Sequence, residues 1–391
     1  MKLLFDLSSN QNIYDGVTVY ALRILKGFKK HNYHHITILC NSAIYDYITS
    51  NYPEYTCIKA KIDNNNGSLI KNGWKWHKQV KNIDCDVIFS PNPYLTYFTT
   101  KKIIQTIHDL QPLKIYSGRT LLAFRIFLPL ILLRSHRIIT ITDFVKKEIK
   151  RIYPFIPARK LHTISNCVIV DPTRYPSSPL PERYLLYVST LWEYKNILTL
   201  LQAINILKTK IPHKLVIIGK PMDDYWEKTC IPYIKEHQLE PHILHFSKPI
   251  DDQLLAQYYQ FADLFIHPSL LEGFGYPPIE AAIHKTPVLT TKETALYEST
   301  MGILNYYEPA TDSQALAKKI QELLANPPSN EKLNQIAEKL RNQYDYYKQA
   351  EKMNLPFLTP CLASLDEVSL KEDETNMEPI YLIDDLKLSI T

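Results

Sequence analysis

Glycine is scarce in this chain, nine residues in 391. Cysteine is scarce too, and the six present, at positions 40, 57, 85, 167, 230 and 361, show neither C-x-x-C nor Cys/His spacing. That speaks against a zinc site and a disulfide frame; reduced, mostly buried thiols of a cytoplasmic protein are expected. A basic start followed by an apolar core and a small-residue cleavage site is missing, so no secretory signal is expected. The longest apolar run, residues 126–133, falls far short of the ~20 helical residues that cross a bilayer. No base-stacking motif or recognition-helix signal appears, so no nucleic-acid partner is expected. No ligand cluster for a metal is visible, and neither a metal nor another cofactor is expected.

What the chain does have is length and an uneven charge. At 391 residues it fits two domains, each large enough for its own core. Residues 1–170 hold 24 Lys/Arg against 10 Asp/Glu, residues 171–356 hold 19 against 22, and residues 357–391 hold 2 against 8. The basic first half suits an anionic membrane surface or a phosphorylated acceptor. A solvated, lysine-rich surface accounts for it equally.

The most informative stretch is Glu272-Gly-Phe-Gly-Tyr-Pro-Pro-Ile-Glu280. An apolar run before it, residues 262–270, reads as a buried strand entering a loop. After it, Pro277 and Pro278 stand at the mouth of a helix, where a missing N–H costs nothing. Gly273 and Gly275 bare the backbone, so N–H groups can approach a ligand. Free N–H groups at a helix start favour an anion, whereas a carboxylate, which only accepts hydrogen bonds, suits a partner rich in hydroxyls. A phosphate and a polyol in one place suggest a nucleotide sugar.

This segment resembles the E-x7-E signature of the retaining, GT-B-type glycosyltransferases of family 4. Its flanks agree: Ala262-Asp263 with Pro268-Ser269 before it, and Thr286-Pro-Val-Leu289 after it. The resemblance covers residues 1–355.

Short strands and helices alternate through both halves, with strands expected at residues 2–7, 36–40, 86–90, 103–107, 137–142 and 161–168, then at 184–189, 214–219, 242–246 and 287–291. That alternation predicts an α/β protein of two Rossmann-like parallel-sheet domains, and the resemblance makes them the two lobes of a GT-B cleft. The expected divisions are residues 1–170, an acceptor-binding domain; 171–183, a proline-rich linker; 184–343, a nucleotide-sugar domain; 344–356, a helix returning to the first domain; and 357–391, an acidic tail. The apolar segment 121–133, with Pro129 inside and Arg119, Arg125, Arg134 and Arg137 nearby, reads as a core helix or as one lying on a membrane.

The remaining site assignments follow position by position from the resemblance. Gly16 stands at the mouth of the first helix, where the family's glycine loop meets the donor diphosphate. His108, in Thr106-Ile-His-Asp-Leu110, matches the histidine that faces the transferred sugar. Lys195, paired with Asn196, matches the donor-phosphate lysine, but Thr190 stands where many members carry an arginine. Glu272, with the backbone of Phe274 and Gly275, would hold sugar hydroxyls, Tyr276 the diphosphate and Glu280 the ribose. Thr142 takes the place of a serine before a helix, Ser165-Asn-Cys167 replaces the usual Pro-Asn-Gly, and Glu298 matches a later glutamate loosely.

The implied reaction moves a hexose from a nucleoside diphosphate sugar to a glycan or lipid-linked glycan, with retention. No second carboxylate with a motif is visible on the acceptor side, which favours a front-face route over a covalent intermediate. Two rival readings remain, a nucleotide-sugar epimerase and a catalytically silent GT-B nucleotide-binding module; the scarce glycines and Thr190 favour the second. The implied location is cytoplasmic, peripheral on the inner face of a membrane.

Overall fold

The computed structural model describes residues 2–33, 35–62, 69–92 and 99–358. Cys361, the segment Ile380-Tyr-Leu-Ile and the acidic tail from residue 359 lie outside the described residues. Thirteen strands form two sheets. The first contains β1 (Leu3–Leu7), β2 (Ile36–Cys40), β3 (Thr56–Lys59), β4 (Val87–Ser90), β5 (Lys102–Ile107), β6 (Arg137–Thr140) and β7 (Leu161–Thr163), in the order β3-β2-β1-β4-β5-β6-β7. The second contains β8 (Tyr184–Val188), β9 (Lys214–Ile218), β10 (Ile243–Phe246), β11 (Leu264–His267), β12 (Val288–Thr290) and β13 (Asn305–Tyr306), in the order β10-β9-β8-β11-β12-β13.

Every pairing is parallel. The cause is legible in the residues. β1, β4 and β11 are buried along their whole length, so they read as continuous apolar runs rather than alternating ones, as strands covered on both faces by helices must. The observed architecture is the expected one, two parallel-sheet α/β domains.

Seven helices position the site: α1 (Gly16–Lys30), α2 (Gly118–Arg134), α3 (Asp143–Ile152), α4 (Ile197–Leu207), α5 (Tyr276–Ile283), α6 (Asn330–Gln343) and α7 (Tyr346–Leu358). One apolar cluster runs across both lobes, from Ile107, Ile138 and Val145 in the first to Tyr184, Phe274 and Ile279 in the second. The lobes therefore share a core beneath the cleft rather than meeting only through polar groups.

Two features go beyond the sequence expectation. The division expected between 343 and 344 has a local cause. Tyr344 closes α6 with its N–H on the Leu340 carbonyl, and Asp345 then caps α7 by accepting from the Lys348 N–H at 3.0 Å. A turn residue and a fresh N-cap end one helix and start another. The segment expected as a core helix or as one lying on a membrane is α2, which has one buried face and one bare one: Leu128, Ile131 and Leu132 are buried, whereas Leu122, Ile126, Leu130 and Leu133 are exposed.

Beyond α6 the chain returns to the first lobe. Ala350 and Met353 of α7 pack into the apolar cluster of β1 and α1. The contact is close: a Cβ at Gly27 of α1 would stand 2.4 Å from the Ala350 Cβ and 2.9 Å from the Tyr346 carbonyl. Gly27→Val should therefore force α7 away from α1 and destabilise the fold by about 1–3 kcal/mol, the usual cost of overpacking, as read from urea unfolding.

Candidate functional site

The signature lies where the fold places ligands, at the carboxyl ends of parallel strands. β11 ends at His267, a loop carries Glu272 and the two glycines, and Gly275 opens α5 at φ +85°, a conformation that favours glycine. Gly273 is needed for a different reason. A Cβ there would stand 2.3 Å from the His108 carbonyl oxygen and 3.0 Å from the Asp109 Cβ. The signature loop thus meets the first lobe backbone to backbone at the end of β5. Thr142 adds a hydroxyl donated to the Gly273 carbonyl at 3.2 Å, and the Gln111 side chain donates to the Leu271 carbonyl at 3.2 Å.

Glu272 and Lys195 are brought together. The Lys195 Nζ lies 2.7 Å from Glu272 Oε1, and His267 Nε2 lies 2.8 Å from the same oxygen. Lys195 owes its position to Asn196, which takes the left-handed conformation (φ 60°) just before α4. Asparagine tolerates that region, and its amide donates to the carbonyls of Pro268 and Ala310, tying the lysine loop to the signature loop. Burial alone would raise the Glu272 pKa; Lys195 and His267 outweigh it and bring the group down to about 2.

His108 stands opposite, across the Gly273 contact. Its Nε2 is 3.1 Å from the Pro91 carbonyl oxygen, and its ring meets Tyr20 edge-on at 4.8 Å. Burial drives its pKa down to about 4, against a small upward pull from that carbonyl. The ring is therefore neutral at pH 7; a carbonyl only accepts, so the proton sits on Nε2 and Nδ1 is the acceptor. A cavity of about 120 Å³ adjoins the ring, walled by Pro91, Asp109, Leu113, Phe124 and Leu128.

The other predicted residues are placed less simply. Phe274 is buried with its ring edge-on to Tyr276 and Tyr344, and its carbonyl accepts from the Ser299 hydroxyl, so only its N–H side is left for a ligand. Glu280 is held across the interface by Arg23 of α1, Nη2 to Oε1 at 2.9 Å, and the same guanidinium lies 4.7 Å over the Tyr276 ring. Gly16 does not head a row of free N–H groups. Asp15 caps α1, accepting from Val17 N and Thr18 N at 3.0 and 2.9 Å, so the first donors of that helix are already taken. What Gly16 provides is room, since a Cβ there would meet nothing within 4 Å.

Each half of the chain matches a family model. Residues 14–172 match Glycosyltransferase Family 4, and residues 175–340 match Glycosyl transferases group 1. The chain belongs to the family 4 glycosyltransferases. Similar curated proteins include the O-antigen chain mannosyltransferase B of Escherichia coli, 28% identical over 48% of this chain and 51% of that protein. The O-antigen chain mannosyltransferase RfbU of Salmonella typhimurium is 25% identical over 56% of this chain and 60% of its own length. The chain thus spans about half the length of the curated relatives it matches. Among solved structures, a sucrose-phosphate synthase from Thermosynechococcus elongatus superposes with a TM-score of 0.73 over 90% of this chain and 97% of that one, at 17% identity. Anabaena HepE in complex with UDP and glucose superposes with a TM-score of 0.70 over 90% and 98%, at 14% identity. These neighbours share the GT-B fold.

For this family 4 chain, sequence reasoning missed two residues at the cleft, Asp109 and Arg23, and matched a third, Glu298, only loosely. Asp109 is a first-lobe carboxylate at the cleft; it belongs to no spaced pair, and only folding sets it against Gly273. Burial raises its pKa to about 6, the Gln111 N–H opposes that, and the charge of Glu272 adds to it. Arg23 carried one faint signal, a charge between Leu22 and Ile24 in an apolar helix. Glu298, matched only loosely in sequence, accepts from the Asp143 and Phe144 N–H groups at 2.6 and 2.8 Å, so a second-lobe carboxylate caps the first-lobe helix α3.

The depressed pKa of Glu272 has a consequence for acid stability. A carboxyl whose folded pKa lies below its ordinary value of 4.5 stabilises the fold fully above that pH, and the effect is lost as pH falls toward 2. Thermal melts of Glu272→Gln should show lower stability at neutral pH, with Lys195 left unpaired. They should also show a smaller loss of stability than the wild type between about pH 4.5 and 2.

Proposed function

We propose that this chain transfers a hexose from a nucleoside diphosphate sugar to a glycan or lipid-linked glycan in cell-surface polysaccharide or lipopolysaccharide synthesis, with retention at the anomeric carbon. One observation carries the reading: the buried Lys195–Glu272 pair lies at the strand ends of the second lobe, against the His108–Asp109 backbone of the first. Family membership, the activities of the O-antigen relatives and the UDP held by a structural neighbour support it.

In this reading the donor exchanges partners within the pair. The diphosphate takes Lys195 together with N–H groups of the Phe274-Gly-Tyr276 loop, the space beside Gly16 admits it, and the sugar hydroxyls take Glu272. As the bond from the anomeric carbon to the diphosphate breaks, negative charge grows on the leaving oxygen, and these fixed donors stabilise it. The acceptor oxygen bonds to the same face of that carbon, and the departing diphosphate takes the acceptor's proton. His108, neutral and with Nδ1 as acceptor, suits a contact to a sugar hydroxyl. Glu280 serves the ribose. The charge on the diphosphate is met by Lys195 and backbone donors, so the reaction needs no metal ion.

Lys195→Ala or Glu272→Ala should each cost about 2–4 kcal/mol of transition-state stabilisation, the effect of removing one positioned donor. Radiolabel transfer from a panel of nucleotide sugars, with a chelator present, measures this. Transfer at wild-type rates by either variant, or dependence on an added divalent ion, would count against the mechanism. Epimerised donor without transfer would support the epimerase reading, and a wild type that binds nucleotide but transfers nothing would support the silent module.

The acceptor end of the reading includes a membrane surface. Among the described residues no helix is long and apolar enough to cross a bilayer. α2 instead exposes Leu122, Ile126, Leu130 and Leu133 at helical spacing, and residues 110–142 contain five Lys/Arg and not one Asp/Glu. An apolar stripe on a segment that carries Arg119, Arg125, Arg134 and Arg137 suits the face of an anionic bilayer. Phe124 and Leu128 of the same helix wall the cavity beside His108. The double variant Ile126→Asp, Leu130→Asp should sediment with phosphatidylglycerol vesicles at least about tenfold less than wild type, while neither protein binds phosphatidylcholine vesicles. Equal sedimentation of the two proteins would remove α2 as the docking face.

A further inference from the structure

We propose that Arg23 is a positioning residue that gives the signature's second glutamate its grip on a ribose, and gives it only while the two lobes are together. The proposal rests on the nucleotide-sugar reading above and adds a residue to it. Arg23 belongs to α1 of the first lobe, and Glu280 to α5 of the second. Their side chains are 14% and 18% exposed, low enough that water screens the pair weakly.

The guanidinium is held from three sides. Nη2 donates to Glu280 Oε1 at 2.9 Å, Nη1 donates to the Cys167 carbonyl at 3.1 Å, and the plane lies 4.7 Å over the Tyr276 ring. Cys167 stands at the start of the segment that joins the lobes, so this one side chain touches both lobes and their connection.

The way the pair is made separates positioning from simple bracing. An arginine that only clamps a carboxylate presents two nitrogens to its two oxygens. Here the two terminal nitrogens are divided between Glu280 and a backbone carbonyl, and Arg23 engages Glu280 through Oε1 alone. The carboxylate is therefore oriented but not saturated, and it retains lone pairs for hydroxyl donors. The buried Tyr259 hydroxyl is the other titratable neighbour; burial first, then the charge of Glu280 and its hydrogen-bonding contact with that carboxylate, raise its pKa, so it remains a neutral phenol facing Glu280 from the same lobe. Separating the lobes would withdraw α1 and Arg23 from α5, leaving Glu280 with Tyr259 alone and its recognition of a diol weakened. Nucleotide affinity and lobe closure would then be coupled through one ion pair.

The test is calorimetric titration of the full chain with UDP and GDP and with their 2′-deoxy forms. The wild type is expected to bind one ribonucleotide about tenfold or more tighter than its 2′-deoxy counterpart, as one charge-assisted hydrogen bond allows. Arg23→Met should bind the two forms within about twofold of each other, through loss of affinity for the ribose form, and Arg23→Lys should fall between. Should Arg23→Met fail to fold, Arg23→Lys carries the comparison. Discrimination unchanged in the folded variant makes Arg23 a brace only and overturns the proposal. A wild type that binds ribose and deoxyribose forms equally also overturns it, because Glu280 then reads no ribose. A wild type that binds neither nucleotide removes the nucleotide reading itself, and the proposal with it.

Discussion

The rest of the cleft depends on one close approach, the backbone of Gly273 lying against the carbonyl of His108. No side chain fits between them, so the strand ends of two separate sheets are set at a fixed distance. Around that contact the polar groups come in cross-lobe pairs: Thr142 with the Gly273 carbonyl, Gln111 with the Leu271 carbonyl, Glu298 with the start of α3, and Arg23 with Glu280. An apolar core shared by both lobes lies beneath them. Packing supplies the adhesion, and the paired polar groups fix the register.

Charge follows a consistent logic. Each glutamate of the signature is met by one cation, Glu272 by a lysine of its own lobe and Glu280 by an arginine of the other. A buried ion pair is weak evidence for stability, since desolvation offsets much of its attraction. Its retention here makes better sense as readiness. Under the proposed reading, in which the site receives a diphosphate and a polyol, both signs are needed in place, and pairing them holds each charge in a low-dielectric cleft until a ligand exchanges with it.

Most of the fold was legible because strands buried on both faces leave continuous apolar runs, and helices between them leave a 3.6-residue period. The candidate site was legible where chemistry is local: two glycines, two prolines and two glutamates within nine residues, and a lysine beside an asparagine. What escaped was non-local. Asp109 is one acidic residue after a histidine, and nothing in the chain says that it faces Gly273, 164 positions away. The cap at the mouth of α1 escaped for the opposite reason. Asp15 precedes Gly16 directly, but a capping carboxylate and a solvent-facing one look the same in a string of letters.

By itself the sequence determined the class of the fold, the family and the glycine-opened loop that enters the cleft, because burial patterns and short-range turn residues act over a few positions. The tertiary structure alone decided which charges meet. It put Glu280 with Arg23 rather than alone, capped α3 with a carboxylate from the other lobe, and gave α2 one buried face and one bare one. Those outcomes depend on how two separate sheets are brought together, and an ion pair between residues 257 positions apart leaves no trace in local composition.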